Sequence, residues 1–505
     1  MIPGLTFAKT KKKKGIRRVS PERARLPGKG KVSTGEGPLG NPFRKAGLLV
    51  FHGVILFLLS LSSLPSPLRP GEAAGLAVLV ASLHYLGGLF LVRFHREDLA
   101  SLSRCFSAFG ISAAVLALTR LALVLGWPST AVPLSAATLL FTLVLSQRFS
   151  LGATGFLTLC VGLILYCGGR SLMPALGVLG AGAAVAALTV GRVRKRSTLI
   201  RAGFFIGLAQ VIVGVGCFLF LEGVTRFTPD HFARLAWYLG QGILVGFLAS
   251  GLLPVVEYVF GVTTDVSLLE LSNQNEQPVL RKLLIEAPGT FHHSFIVGLL
   301  AEAAAERIGA HGLLCRVGAY FHDIGKMVKP QYYAENMGVG ASLHDALSPE
   351  MSALVIASHP KDSLELADYY DLPPCVRPFM TEHHGTTKIE YFYQQALKRQ
   401  AEKGGTVDEE SFRYPGPKPS SKESAIVMLA DAVEAAVRSL NNPTPSRIRT
   451  VVEDLTWKRL KDGQLDESPL TLKDIKEIEE AFIAVLIGIH HTRPAYPSSR
   501  EENAS

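Results

Sequence analysis

Between residues 46 and 256 the chain consists of long apolar runs separated by short polar joints, a pattern that suits lipid rather than water as the surrounding solvent. A helix needs roughly 17 to 25 mostly apolar residues to cross about 30 Å of hydrocarbon. Eight runs qualify: 46–64, 72–92, 107–127, 131–147, 151–167, 172–191, 203–222 and 235–256. Only SQRF separates the fourth from the fifth, so the division there is the least defined. Composition agrees, because 48% of the 505 residues are hydrophobic, more than a purely soluble protein of this size needs. From 265 to 505 the sequence becomes mixed, charged and helically periodic. The expected fold class is all-α, with a polytopic transmembrane helix bundle followed by a cytoplasmic all-helical domain.

Charge sets the orientation. The net charge of +10 owes most to the first 31 residues, where Lys9, Lys11, Lys12, Lys13, Lys14, Arg17, Arg18, Arg23, Arg25, Lys29 and Lys31 face only Glu22. Such a tail cannot bury a core and is expected to be disordered. Its place before the first apolar run favours a cytoplasmic topology signal over a grip on DNA or RNA. With the tail inside, the two richest basic joints, RFHREDLASLSR and GRVRKRSTLIR, also fall inside, and an even number of spans returns the C-terminal half to the cytoplasm. The first run is too long and too far from the start for a signal peptide, and reads as an uncleaved anchor.

Within the spans, His52, His84 and Arg120 are polar groups at membrane depth, but no carboxylate joins them to form a relay. Packing or snorkelling is the expected role. Six cysteines, with no CxxC pair and four of them in or beside the apolar half, indicate neither a zinc knuckle nor a disulfide framework.

In the second half, histidines and aspartates recur at helix ends or on apolar faces. EAPGTFHHSFIVGLLAEAAAERIG opens a helix at Pro288 and places His292 and His293 in its first turn. LLCRVGAYFHDIGK delivers His322 and Asp323, with Gly325 as the stop. SALVIASHP ends at His359 before Pro360. VRPFMTEHHGTT ends at His383, His384 and Gly385, and AIVMLADAVEAAVRSL carries Asp431 in its apolar middle. Five segments thus offer polar groups that would cost a few kcal/mol each if buried unpaired, and shared metal ions would compensate all of them. Imidazoles and carboxylates without thiolates suit iron, manganese or similar divalent ions.

Neighbours on a helix point about 100° apart, so His322 and Asp323 can enter one site only across a helix end. A carboxylate has two oxygens and can bridge two metals, which makes Asp323 the natural bridge and His322 a terminal ligand. Two metals about 3.5 to 4 Å apart hold a hydroxide nucleophile and neutralise phosphoryl oxygens during in-line displacement. Lys326 falls on the same side and is a candidate for a phosphate oxygen. A second HD pair, His344 and Asp345, reads as a loop or helix start; His311, His490 and His491 read as surface residues; Glu434 competes with Asp431 but lies off the more apolar stripe.

The pattern resembles the HD phosphohydrolase superfamily, and within it the membrane-bound seven-transmembrane HD family whose characterised members hydrolyse cyclic di-AMP. The stretches that carry the resemblance are LLPVVEYVFG, LLELSN, VLRKLLIEAPGTFHHS, VGAYFHDIGKM, EHHGTT, YFYQQA, FRYPGPKPSSKESAIVMLADAVEAAVRSL, PTPSRI and DGQLDESPLTL, together most of residues 250 to 495. The resemblance implies two iron or manganese ions, with His293, His322 and Asp431 on one, His359, His383 and His384 on the other, and Asp323 between them. It selects His293 over His292 and implies hydrolysis of cyclic di-AMP to pApA. It does not carry a large extracellular sensor to this chain, because only SLPSPLRPGE separates the first two spans.

The expected organisation is a disordered basic cytoplasmic tail (1–44), a transmembrane domain (45–257), a helical connector (258–290), an HD domain (291–495) and a disordered tail (496–505). The segment 388–424 starts helical and becomes a charged loop, in which Tyr414 and Lys418 are candidates for a base and a phosphate contact. No flexible tether separates the last span from His293, so a shift of the spans could reach the site mechanically. The expected setting is the inner membrane, with a lipid bilayer and a cyclic dinucleotide as partners and no nucleic acid polymer; a homo-oligomer is allowed for. Competing readings are hydrolysis of a guanosine polyphosphate or cyclic di-GMP, and a non-enzymatic nucleotide-binding membrane sensor.

Overall fold

The computed structural model describes residues 42–490 apart from 67, 96–101, 191–193, 261 and 338–341. Residues 1–41 of the expected first tail, all of the second tail, half of the first basic joint and His491 lie outside the described residues. The expected tail boundary at 44 is corrected, because α1 begins at Pro42. Among the described residues there is no strand; an isolated bridge pairs Lys388 with Arg413.

Eight helices form the membrane half: α1 (Pro42–Ser62), α2 (Pro70–Phe94), α3 (Leu102–Val124), α4 (Leu134–Val144), α5 (Gln147–Cys167), α6 (Leu172–Thr189), α7 (Arg196–Phe220) and α8 (Pro229–Phe260). Six of these, α2, α3, α5, α6, α7 and α8, are long and apolar enough to cross a membrane over their described residues. The expected span 131–147 is corrected: α4 has only 11 residues and follows a short turn of 3-10 helix at Ser129–Ala131. At about 1.5 Å per residue it covers roughly half of the hydrocarbon. It is packed by α3, α5, α6 and α8 and buried along nearly its whole length, which is why it is apolar on every side. Hydroxyls tie it to α5, with Thr138 Oγ1 at 2.9 Å from Thr154 Oγ1 and Thr142 Oγ1 donating to Ser150 Oγ at 2.8 Å. Of the joint SQRF, only Ser146 separates the helices: its hydroxyl caps α5, which begins at Gln147 rather than 151.

His52 and His84 meet each other, Nδ1 to Nε2 at 2.9 Å, and Arg120 reaches the end of α1, donating to the Ser62 carbonyl at 2.6 Å. Both observations fit packing roles. The tightest crossing joins α7 to α8 through glycines at i and i+4, Gly203 and Gly207 against Gly242 and Gly246. A Cβ on Gly203 would stand 2.9 Å from the Gly246 Cα, so only hydrogen at these positions lets the two backbones touch.

The second half comprises α9 (Asp265–Leu271), α10 (Pro278–Glu286), α11 (Pro288–Arg307), α12 (Gly312–Phe321), α13 (Pro349–Ala357), α14 (His359–Tyr369), α15 (Arg377–Glu382), α16 (Glu390–Lys403), α17 (Lys422–Arg438), α18 (Pro445–Lys461) and α19 (Leu472–Ile489). Alternate faces of α12 enter two cores. Cys315 and Ala319 join Val297, Met428 and Phe482, whereas Leu313, Val317 and Phe321 join Leu280, Ile324 and Met380. The C-terminal end of α12 is thereby held between both cores.

The two halves are joined by more than the chain. Glu257, in the last turn of α8, accepts from the Thr264 amide at 2.8 Å and from the Ser267 hydroxyl at 2.7 Å at the start of α9. Arg194 and Arg196, in the second basic joint, face Glu306 at 3.2 Å and Glu270 at 2.8 Å. Such exposed pairs contribute less than about 1 kcal/mol each, so they orient more than they stabilise. His311, expected to be a surface residue, is corrected: its Nδ1 caps α12 by accepting from the Leu314 amide at 3.1 Å, and its Nε2 lies 3.0 Å from Asp265 on α9. The signal was present in its position one residue before an apolar helix.

Candidate metal centre

Seven side chains from α11, α12, α14, α15 and α17 converge where the two cores meet. The ligand atoms of Asp323, His359, His383 and His384 lie within 4.8 Å of one another, and so do those of His293, His322 and Asp431. All but His384 are buried.

Local chain geometry explains the convergence. α12 ends at Phe321 and a 3-10 turn begins at Ile324, so His322 and Asp323 occupy the break between two helices and both face inward. Gly325 does more than stop the helix: a Cβ there would overlap the His359 carbonyl and stand 2.6 Å from the Ser363 amide. A glycine is therefore required to bring α14 against the HD turn. His359 opens α14 rather than closing α13, with Pro360 in the first turn, where its missing N–H leaves no bond unmade. Gly385, with φ of 53°, turns the chain away directly after His384.

Four imidazoles are aimed by their second nitrogen. Nδ1 of His322, His359 and His383 bonds the carbonyl of Ala319, Ile356 and Phe379 at 2.6, 2.8 and 2.7 Å, leaving each Nε2 turned inward. Nδ1 of His293 is held by the Glu434 carboxylate. A partner on the far nitrogen fixes tautomer and orientation, as at histidine metal sites generally. Asp323 lies between the two groups with its oxygens divided. Oδ2 faces Nε2 of His322 at 3.2 Å and of His293 at 3.7 Å; Oδ1 faces Nε2 of His359 at 3.2 Å and of His383 at 3.6 Å.

The electrostatics describe a site that attracts cations. Burial would raise the Asp323 carboxyl, but His322 and Lys326 hold it well below the usual carboxylate range. Burial likewise opposes the charge on Asp431, which the hydrogen bond from His293 and the nearby His384 keep ionised. His293 would be depressed by burial, yet Asp431 and Glu434 raise it to about 9. Burial lowers His383 to about 4 and holds His384 well below its ordinary range, so both offer lone pairs at neutral pH. The buried His322 Nε2 and Asp323 Oδ1 have no hydrogen-bond partner, and Asp323 Oδ2 is paired with the Lys326 ammonium at 2.7 Å. Divalent cations would satisfy the two unpartnered atoms, so the donor set fits a metal.

Two families match the chain: one described as a 7TM receptor with intracellular HD hydrolase, over residues 71–264, and the HD domain, over residues 290–436. The chain thus carries a region similar to the 7TM receptor family followed by an HD domain. The first match spans α2 to α8, seven helices, and the second holds every residue of the candidate centre. The cyclic-di-AMP phosphodiesterase PgpH of Bacillus subtilis is 38% identical over 377 residues, 74% of this chain and 52% of that protein. PgpH of Listeria monocytogenes is 40% identical over 307 residues, 61% of this chain and 42% of that protein. The chain thus spans about half the length of the relatives it matches. A crystal structure of the L. monocytogenes PgpH HD domain in complex with cyclic-di-AMP is 44% identical, covering 42% of this chain and 97% of that one, with a TM-score of 0.41.

The remaining candidates from the sequence lie as follows. Lys326 is not free: its Nζ stands 2.7 Å from Asp323 Oδ2 and donates to Glu335 at 2.9 Å. Tyr414 lies over the His384 ring, with centroids 4.1 Å apart, and burial pushes its phenol up. Lys418 faces Asp466 at 3.7 Å. His344 bonds the Tyr332 carbonyl at 2.9 Å and, with Asp345, joins neither group. Sequence reasoning missed Glu335 and Arg459 altogether. Arg459 is half-buried, with its Nε covered and unpartnered, in the field of Asp431 and Tyr414. No periodicity marks either one; tertiary contact alone reveals them. Glu434 is not a competitor of Asp431 but its neighbour on the same face of α17, three residues on, and both reach His293. Replacing Glu434 by Gln is expected to weaken metal retention about 10–100-fold, measured by chelator competition, while Arg449→Gln, in an exposed pair with Glu480, leaves it within error.

Proposed function

We propose that this chain is a membrane-anchored phosphodiesterase that hydrolyses cyclic di-AMP to pApA at a binuclear metal centre, with iron or manganese as the resident ions. The division of the two Asp323 oxygens between the two groups of imidazoles carries the reading. The names of the B. subtilis and L. monocytogenes relatives support the substrate.

In this reading His293, His322 and Asp431 would hold one ion and His359, His383 and His384 the other, with the divided oxygens of Asp323 serving both groups of side chains. Two such cations supply Lewis-acid chemistry: they polarise the phosphoryl oxygens and make a water available as nucleophile near neutral pH. The chain's own groups do the rest. Carbonyls of Ala319, Ile356 and Phe379 keep three imidazoles in one tautomer, so no proton occupies the inward nitrogen. Lys326, placed between Asp323 and Glu335, offsets negative charge at the edge of the site and positions a phosphoryl oxygen. Tyr414 lies flat on His384 and provides an aromatic surface at the centre's edge against which a base can stack. Arg459 and Lys418 add cationic character for the second phosphate.

In this reading the centre faces the cytoplasm at the inner membrane, and the basic joint GRVRKRSTLIR before α7 supports that side. The decisive experiment uses the full-length protein in bilayers, stripped by chelator and reloaded with manganese or iron. Cyclic di-AMP, cyclic di-GMP and guanosine tetraphosphate are offered and the products identified by chromatography. The expected result is pApA from cyclic di-AMP, no turnover after stripping and recovery on reloading. Turnover of another nucleotide with cyclic di-AMP left intact would replace the substrate, and undiminished activity after complete metal removal would end the metal mechanism.

A further inference from the structure

At the end of the bundle away from the HD domain, the joints after α3, after α5 and before α8 close around a cleft of about 810 Å³. The size lies within the range of ligand pockets, about 300–1,000 Å³. Its wall includes Thr130, Met173, Glu222, Arg234, Trp237 and Tyr238, and the two charged members are Glu222 and Arg234. Arg234 donates from both terminal nitrogens to the two Glu222 oxygens at 3.0 and 2.8 Å, and its guanidinium stands 4.3 Å over the Phe218 ring. The two side chains remain 36% and 30% exposed, so the fork is anchored below and open above.

Charge balance in the wall decides the ligand class. A net anion would draw Arg234 away and leave the Glu222 carboxylate uncompensated; a net cation would do the reverse. A purely apolar molecule would leave the fork unused. A molecule with both signs a few ångströms apart can replace each half of the pair at once, acid group on Arg234 and amine on Glu222, while Met173 and Trp237 cover an apolar body.

Four wall residues, Ala233, Arg234, Trp237 and Tyr238, are on α8, which runs for 32 residues to Phe260 with Pro254 inside it. That is about 48 Å of helix. Its last turn bonds α9 through Glu257, α9 bonds the start of α12 through Asp265 and His311, and α12 leads into the break that holds His322 and Asp323. We propose that this cleft binds a small zwitterion, an amine and an acid group on an apolar body, and that α8 carries its occupancy to the metal centre. The rate effect rests on the proposed hydrolysis; the binding does not.

A free amino acid and an aminophospholipid headgroup share this chemistry, so the test has two arms. Full-length protein is placed in discs of phosphatidylglycerol alone and titrated with labelled leucine, phenylalanine and tryptophan; matched discs contain phosphatidylethanolamine instead of probe. Saturable probe binding identifies the free source, and a rate change in the second discs alone identifies the lipid. Either is expected to change cyclic di-AMP hydrolysis at least twofold. Arg234→Gln is expected to weaken binding, or the lipid response, by at least about tenfold. If that variant unfolds, Glu222→Gln combined with Arg234→Gln removes both charges and keeps a neutral hydrogen-bonding pair across the gap, and its thermal midpoint confirms folding while its affinity is read. No binding and no lipid response, or affinity unchanged in a folded variant, overturns the site. Binding with a constant rate in an active protein overturns the link through α8, whereas binding by a protein inert toward every nucleotide overturns the hydrolase reading and leaves the site standing.

Discussion

Asp323→Asn is expected to remove both bound metal and turnover, with a loss of rate well beyond the ~10–100-fold typical of outer partners at metal sites. The amide keeps the shape of the carboxylate, so the packing of a residue that is 1% exposed is disturbed little. What changes is charge and valence. The anion that faces four imidazoles and Lys326 is lost, and one of the two oxygens becomes an N–H₂ group, a donor that offers no lone pair to a cation. Metal content per chain, measured by elemental analysis, and kcat on cyclic di-AMP are the two readouts. Asp345→Asn, in the other HD pair, is the control and is expected to change neither. Full metal occupancy with an unchanged rate in the Asp323 variant would remove the bridge from the mechanism.

Gly242→Leu is expected to have a comparable effect on the membrane half by preventing α7 and α8 from closing. A Cβ at Gly242 would overlap the backbone of Gly207 and stand 2.7 Å from the Gly203 carbonyl. Backbone cannot rotate aside as a side chain does, so the helices must separate along the contact. Overpacking at side-chain contacts already costs about 1–3 kcal/mol, and a backbone clash exceeds that. Gly240→Leu is the matched control, since a Cβ there meets nothing within 4 Å. Thermal unfolding in detergent is expected to drop sharply for the first variant and to stay near wild type for the second.

The candidate metal ligands were legible because their residue types are costly to bury. His293, His322, Asp323, His359, His383, His384 and Asp431 each interrupt an apolar helix or terminate one, and that conflict can be read one segment at a time. The partners that organise them were not legible in the same way. Glu335 pairs with Lys326, and Arg459 enters from α18, through contacts between segments that the sequence leaves unrelated. The same holds for His311, read as a surface residue until Asp265 on α9 is found beside it.

The apolar runs were legible as membrane helices because lipid demands length and hydrophobicity, both of which are local quantities. The fourth run broke the rule because α4 is packed by other helices, and a helix shielded in this way is relieved of the need to span. From the sequence by itself came the all-helical class, the two halves and the side chains able to bind metal, since each follows from local composition and period. Only the tertiary structure decided which way the Asp323 oxygens point, which glycines let α7 touch α8 and which charges meet in the outer cleft. These depend on distances between atoms far apart along the chain, and packing of the folded whole is what sets such distances.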